Sequence, residues 1–173
     1  MKHNIVRINK IVLNNFKNVK KGIVEMPAYS GKELFSEKAD VLGLYGQNGS
    51  GKTSVVEALR FVKTLLSGEK LPADAKEYIA QGEEECEIDV SFSVAEEVQK
   101  ETVNYSVALK KDADGFVISH ERMTVVPRKE SIRAVESTLI DYQYDNEDVT
   151  FAPEYRYKKL VANDKKVRVA LNV

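Results

Sequence analysis

The chain has 173 residues, a length that suits one domain or one large lobe of a bigger one. Hydrophobic residues make up 43%, enough for a real core, and charged residues make up 31%, enough for a well-solvated surface. The formal net charge of -1 excludes any bulk-charge argument for nucleic acid or membrane binding, and the uneven local charge (eight Lys/Arg against three acids over 1–38, eleven acids against three Lys over 69–101) reads as two solvated faces.

The basic N-terminus "MKHNIVRINK" lacks the apolar centre of a signal peptide. "IVRINKIVLNNF" (5–16) is rich in β-branched residues, partly alternating, and predicts a strand. "KNVKKG" turns the chain, and "GIVEMPAY" predicts a second strand antiparallel to the first. "SGKELFSEK" reads as an exposed loop. "ADVLGLY" (39–45) is a nearly continuous apolar run, the pattern of a strand buried on both faces. A helix follows, with Val55, Val56, Leu59, Phe61, Val62, Leu65 and Leu66 recurring at spacings of three and four. Gly68 is placed to end it as a left-handed cap. "LPADAKEYIAQG" suggests a loop with a short helix starting at Pro72.

From Cys86 the texture changes. Three alternating stretches, "CEIDVSFSV", "TVNYSVALKK" and "FVISHERMTVV", predict an antiparallel meander over 86–126, with "DADG" as a hairpin turn. Cys86 is the one cysteine, so no internal disulfide can form, and this fits a reducing compartment. "SIRAVESTLIDY" is read as a short helix, and the last twenty residues as a strand pair or a helix and a strand. No apolar stretch approaches the ~18 residues of a membrane helix, so no membrane partner is expected and the expected location is cytoplasmic.

Gly46-Gln47-Asn48-Gly49-Ser50-Gly51-Lys52-Thr53 matches the Walker A pattern G-x-x-x-x-G-K-[ST] in full, between an apolar run and a helix. Glycines let the backbone wrap an anion without side-chain clashes. Successive N–H groups then form an anion nest, and the helix adds unpaired N–H groups and the positive end of its dipole. Lys52 is expected to neutralise β- and γ-phosphate oxygens, and the Thr53 hydroxyl to ligate Mg²⁺. Hydrolysis needs more: a second acid at the end of a buried strand, and a group that orients water. Asp141 in "STLIDY" follows only two apolar residues, and Asp89 sits inside an alternating strand. Neither makes a convincing Walker B acid.

"INKIVLNNFKNV" followed by "VLGLYGQNGSGKTSVVEAL" resembles the N-terminus of ABC-type ATPases of the SMC, RecF and OLD group. There a first strand ends in a Leu-x-x-Phe-basic pattern, a hairpin follows, and a G-x-N-G-x-G-K-[ST] loop leads into a helix with a Glu-Ala pair, here Glu57-Ala58. The detailed match covers about residues 5–66; over 86–126 it is architectural. The pattern is most like bacterial AAA-type ATP-binding proteins linked with overcoming-lysogenisation-defect nucleases and phage defence. The resemblance implies an α/β fold: the N-terminal lobe of a P-loop NTPase head with an antiparallel β-subdomain, incomplete in itself. It divides the lobe into a P-loop core with its hairpin (1–85), the meander (86–126) and a remainder (127–173) expected to continue in a parent protein.

The resemblance also implies ATP and Mg²⁺ as cofactors, held by the loop from Gly46 to Thr53 with Ser54. It puts Lys17 and Asn18 near the nucleotide, although an ordinary turn explains them equally well. A Q-loop glutamine would approach the metal. Gln143 is the best-placed candidate, ahead of Gln81 and Gln99, and each also reads as a surface residue.

Several family parts are missing. "LLSGE" (65–69) looks like the signature motif but ends the helix leaving the loop, so Ser67-Gly68 reads as a helix cap. His120 lies in an alternating strand with no acidic strand before it and reads as a sheet residue, not a switch; His3 near the terminus is uninformative. The expected partners are therefore the C-terminal half of the chain's own head and a second head in a homodimer. DNA is expected from the resemblance alone, since the basic cluster Lys17, Lys20 and Lys21 reads as a solvated turn. ATPase activity is expected of the parent. Two alternatives stay open: a self-contained phosphotransferase recruiting Arg122, Arg128 and Arg133, and a non-catalytic nucleotide switch.

Overall fold

The computed structural model describes residues 5–27, 41–96, 99–113, 115–128, 135–144 and 150–151. Strand β1 (Ile5–Phe16) has the bounds its sequence predicts. It turns through Lys17 and Asn18 into β2 (Val19–Glu25), antiparallel as expected, with Phe16 opposite Val19. The two-residue turn is tighter than the six residues of "KNVKKG", because Val19 to Gly22 already pair with β1. Helix α1 (Lys52–Leu66) follows the glycine-rich loop, and a single 3₁₀ turn (Ala75–Tyr78) starts three residues after Pro72. The meander is present as β3 (Glu85–Glu96), β4 (Gln99–Asp112) and β5 (Gly115–Pro127). Beyond it come β6 (Ser137–Gln143) and the short β7 (Thr150–Phe151).

All seven strands form one sheet in the order β2-β1-β3-β4-β5-β6-β7, each pair antiparallel. Hairpin and meander are therefore joined edge to edge by β1 and β3. One row across the sheet reads Leu13, Ile88, Val107, Glu121, Tyr142; the next reads Ile11, Val90, Tyr105, Met123. These rows form the core face, and all but Met123 and Tyr142 are buried. Ala58, Phe61, Val62 and Leu65 of α1 belong to the same core. Val56 and Leu66 face outward, so the buried stripe of α1 is narrower than its apolar count suggests. The other sheet face is polar, with rows Val12, Asp89, Ser106, Arg122, Asp141 and Asn14, Glu87, Ala108, His120, Gln143.

Bulges shift which residues face the core. Ser119 is an extra residue on β5 against β4, so Ile118 and Glu121, three apart, both point inward. Glu121 is fully buried, and the Tyr105 hydroxyl donates to its Oε1 at 2.7 Å. Burial pushes the Glu121 carboxyl above the usual carboxylate range, with the Tyr105 bond opposing, and pushes the Tyr105 phenol up as well. The Cys86 thiol, also buried, is pushed up to about 12, which makes it an inert core residue.

Two expectations need correction. The helix read over "SIRAVESTLIDY" is replaced, from Ser137 on, by β6. The open edge of β5 offers backbone partners, and pairing Met123 with Ile140 and Glu121 with Tyr142 keeps the apolar side chains of both strands on one face. The strand read over "ADVLGLY" is not formed in its described part: residues 41–47 carry no regular structure, and Val41 and Tyr45 are 88% and 95% exposed. A continuous apolar run makes a buried strand only where neighbours pair with it, and no described strand does. The loop expected at "SGKELFSEK", the reading of the last twenty residues, His3 and Arg133 lie outside the described residues.

Candidate functional site

The glycine-rich loop turns on two left-handed residues, Gly49 at φ 83° and Gly51 at φ 88°. Gly51 is also the N-cap of α1, and no side chain caps the helix there. Val55 N–H donates to the Gly51 carbonyl, so the N–H groups of Lys52, Thr53 and Ser54 precede the helical ladder. The first turn of α1 holds no acid, which leaves the positive end of its dipole uncompensated. Added side chains would be felt at both ends of the loop, cheaply at Gly46, where the Ser50 hydroxyl can turn away, and severely at Gly51, where β-branched Val19 is stiff. A Cβ on Gly46 would lie 2.8 Å from Ser50 Oγ, and one on Gly51 would lie 2.5 Å from Val19 Cγ2.

Lys52 folds back over the loop. Its Nζ donates to the carbonyls of Gly46 and Gln47, both at 2.7 Å, and to Ser50 Oγ at 3.2 Å. Its charge thus sits over the loop. Thr53 is exposed in the first helical turn, whereas Ser54 is buried and turned away from solvent.

The β1–β2 turn is docked on this loop through Asn18. Asn18 donates through Nδ2 to the Gly49 carbonyl and accepts at Oδ1 from Ser54 Oγ at 2.7 Å. Lys17 takes the left-handed φ of 53°, and its Nζ lies 2.6 Å from Glu57 Oε1 and 5.4 Å from the centre of the Tyr78 ring. Its backbone N–H donates to the Tyr78 carbonyl at 2.7 Å. Tyr78 in turn stacks on Phe16 at 5.3 Å and meets Phe61 edge-on at 5.5 Å. The turn is thus a junction of sheet, loop and helix. Sequence reasoning put Glu57 on the polar face of the helix and in the family's Glu-Ala pair, and missed its ion pair with Lys17. It missed Tyr78 altogether, because both contacts join residues far apart in the chain.

Gln143 is not brought to the loop. It lies at the exposed end of β6, in the same row as Asn14 and four inter-strand steps from β1, on the order of 19 Å along the sheet. Gln81 is exposed after the 3₁₀ turn, and Gln99 opens β4. Asp89 sits mid-strand on the polar face, where burial raises its carboxyl above the usual range and the Ser106 bond opposes. Asp141 lies opposite Arg122, with one oxygen 3.9 Å from His120 Nε2, which makes His120 a sheet residue. Ser67 and Gly68 form the expected cap: Gly68 has φ 67°, and the N–H groups of Gly68 and Glu69 donate to the carbonyls of Leu65 and Thr64, a Schellman motif. Among the described residues no cluster of three or more His, Cys, Asp or Glu is arranged to hold a metal, and no helix is long and apolar enough to cross a membrane.

A family model described as "AAA domain, putative AbiEii toxin, Type IV TA system" matches residues 41–169, which include the whole glycine-rich loop and α1. The chain belongs to this AAA domain family. The expected kinship with AAA-type ATP-binding proteins therefore holds. No curated protein matches the chain. Among solved structures, one titled as the recombination mediator protein RecF with ATP, in the RecFOR pathway, matches at 18% identity and a TM-score of 0.42. That match covers 71% of this chain but only 28% of the RecF chain, so this chain spans under a third of that structure's length.

The loop fits a nucleotide. Two left-handed glycines, an uncapped helix N-terminus and a lysine over the loop are the donor set a polyphosphate needs. Residues 46–53 would hold the phosphates, and the Thr53 hydroxyl would be a ligand to Mg²⁺. Bound Mg²⁺ would neutralise phosphate charge and polarise the terminal phosphoryl group.

Proposed function

We propose that this lobe binds a Mg²⁺-bound nucleoside triphosphate, ATP by family resemblance, on residues Gly46 to Thr53. The observation that carries the reading is the loop itself: left-handed Gly49 and Gly51 run straight into an uncapped, acid-free helix start, with Lys52 above. Phosphate oxygens would take the N–H groups that the helix leaves unpaired. They would also replace the loop carbonyls as partners of Lys52 Nζ, so the amine exchanges neutral acceptors for charged ones. Thr53 would serve as the metal's protein ligand. Gln143 stays outside this set.

We propose further that residues 1–173 act as one lobe, made of the P-loop core (1–85), the meander (86–126) and the remainder (127–173), and that it is cytoplasmic in location. Hydrolysis would need residues outside this chain and a second head. A role in defence or in DNA transactions rests on the family resemblance.

Calorimetric titration with MgATP tests the reading. The wild-type chain should bind, and Lys52→Met should weaken binding at least about tenfold, the loss expected for one charge-assisted contact. Equal affinity of wild type and Lys52→Met would overturn the assignment. Turnover by the 173-residue chain alone, at the rate of its parent protein, would overturn the requirement for a second half.

A further inference from the structure

The four residues Phe16 to Val19 reach the 3₁₀ turn, α1 and the glycine-rich loop, and one of these contacts bears on the phosphate cradle itself. Asn18 is satisfied at both ends of its amide: it donates to the Gly49 carbonyl and accepts from the buried Ser54 hydroxyl at 2.7 Å. These two contacts fix which end of the amide faces the loop. Its neighbour Val19 packs against Gly51 so closely that a Cβ there would lie 2.5 Å away. The loop is thus held from below at Gly49 by a hydrogen bond and at Gly51 by packing.

The peptide between Gly49 and Ser50 is planar, so its carbonyl and its N–H point in opposite directions. Holding the Gly49 carbonyl on Asn18 turns the Ser50 N–H toward the loop, where it now donates to the Gln47 carbonyl at 3.2 Å. Gly49 is the residue most free to flip this peptide, because glycine adopts φ of either sign. A flip would aim a carbonyl dipole at the phosphates in place of a donor.

We infer that Asn18 is a positioning residue for the phosphate cradle: it acts through the Gly49–Ser50 peptide and does not itself touch the nucleotide. This rests on the polyphosphate reading of the loop and adds to it. The contact selects the donor-inward state of a glycine peptide before any ligand arrives, so less ordering remains to be done on binding. Ser54 shares the task by anchoring the far end of the Asn18 amide.

The test compares MgATP with inorganic tripolyphosphate, which has the phosphates but no nucleoside. Titrations are run on the full chain as wild type, Asn18→Ala, Ser54→Ala and the double variant. Asn18→Ala should weaken both ligands by a similar factor, about tenfold, as for one hydrogen bond lost. Ser54→Ala should weaken both by less. The double variant should be no weaker than Asn18→Ala, because the two side chains act in series. Amide exchange at Ser50 in the free protein should quicken in Asn18→Ala while exchange in the middle of β3 stays as in wild type. Weakening confined to MgATP would mean that Asn18 touches the nucleoside and would overturn the inference, as would unchanged affinity for both ligands. If wild type binds neither ligand, the polyphosphate reading itself is wrong. Should Asn18→Ala not fold, Ser54→Ala carries the test, and unchanged Ser50 exchange together with unchanged affinity in it overturns the proposal.

Discussion

Gly51→Ala is the substitution that most directly probes how the loop is built. Two costs can be read from the geometry. An alanine at φ 88° must occupy the left-handed region, which costs about 1–2 kcal/mol for an L-residue. Its Cβ would also lie 2.5 Å from Val19 Cγ2, too close for any carbon pair. Val19 is β-branched and stiff at χ1, so turning it out of the way costs about 1 kcal/mol more. The expected destabilisation is therefore about 2–3 kcal/mol in urea unfolding followed by far-ultraviolet circular dichroism. Removing Cγ2 separates the two parts. In a Val19→Ala background the nearest remaining atom, Val19 Cβ, is 3.9 Å from the new methyl, so only the backbone cost should survive. The double-mutant cycle should show a coupling of about 1 kcal/mol. An equal cost of Gly51→Ala in both backgrounds would refute the contact between turn and loop. A cost below about 0.5 kcal/mol would refute the left-handed conformation as well.

Other expectations follow from the same reasoning. Glu121 has a folded-state pKa above its ordinary value of 4.5, so between that pH and its raised value the folded chain holds a proton that the unfolded chain has lost. Stability should therefore fall as pH rises above about 4.5, by up to about 1.4 kcal/mol per pH unit from this group, and Glu121→Gln should flatten that slope in urea titrations across pH. A slope identical in both proteins would show that Glu121 ionises freely when folded. Gly68→Ala should lower stability by about 1 kcal/mol in thermal unfolding, because the Schellman cap needs φ 67°. A cycle over Lys17→Ala and Glu57→Ala should give a coupling of about 1 kcal/mol or less, since the pair lies 2.6 Å apart but keeps 30% and 32% of its side-chain exposure. That coupling should shrink in high salt.

Much of this molecule is legible in its sequence, and the failures have identifiable causes. The loop from Gly46 to Thr53, the strand from Ile5 to Phe16 and the Gly68 cap were readable because each is written in a short window. The burial of Glu121 was not, since strict alternation puts it on the face opposite Ile118; the extra Ser119 on β5 reverses the parity. The 137–143 segment has too few residues for its periodicity to decide between helix and strand, and the free edge of β5 decides it. Val41 to Tyr45 shows the limit of hydropathy: an apolar run records an appetite for burial, and the partner that would satisfy it is a separate fact. The roles of Asn18 and Lys17 were invisible for another reason. Their partners are 31 and 40 residues away, and a turn of Lys-Asn looks the same whether or not anything is docked on it.

The four-residue junction at Phe16–Val19 also fixes chain length. Phe16 faces the core, Lys17 meets Glu57, Asn18 meets Gly49 and Val19 meets Gly51, in strict sequence with no spare residue between them. One inserted residue would misalign the last two contacts or, by slipping β2, turn its side chains to the opposite face. Point substitutions here remove one contact at a time, whereas a single insertion or deletion would dismantle the junction as a whole.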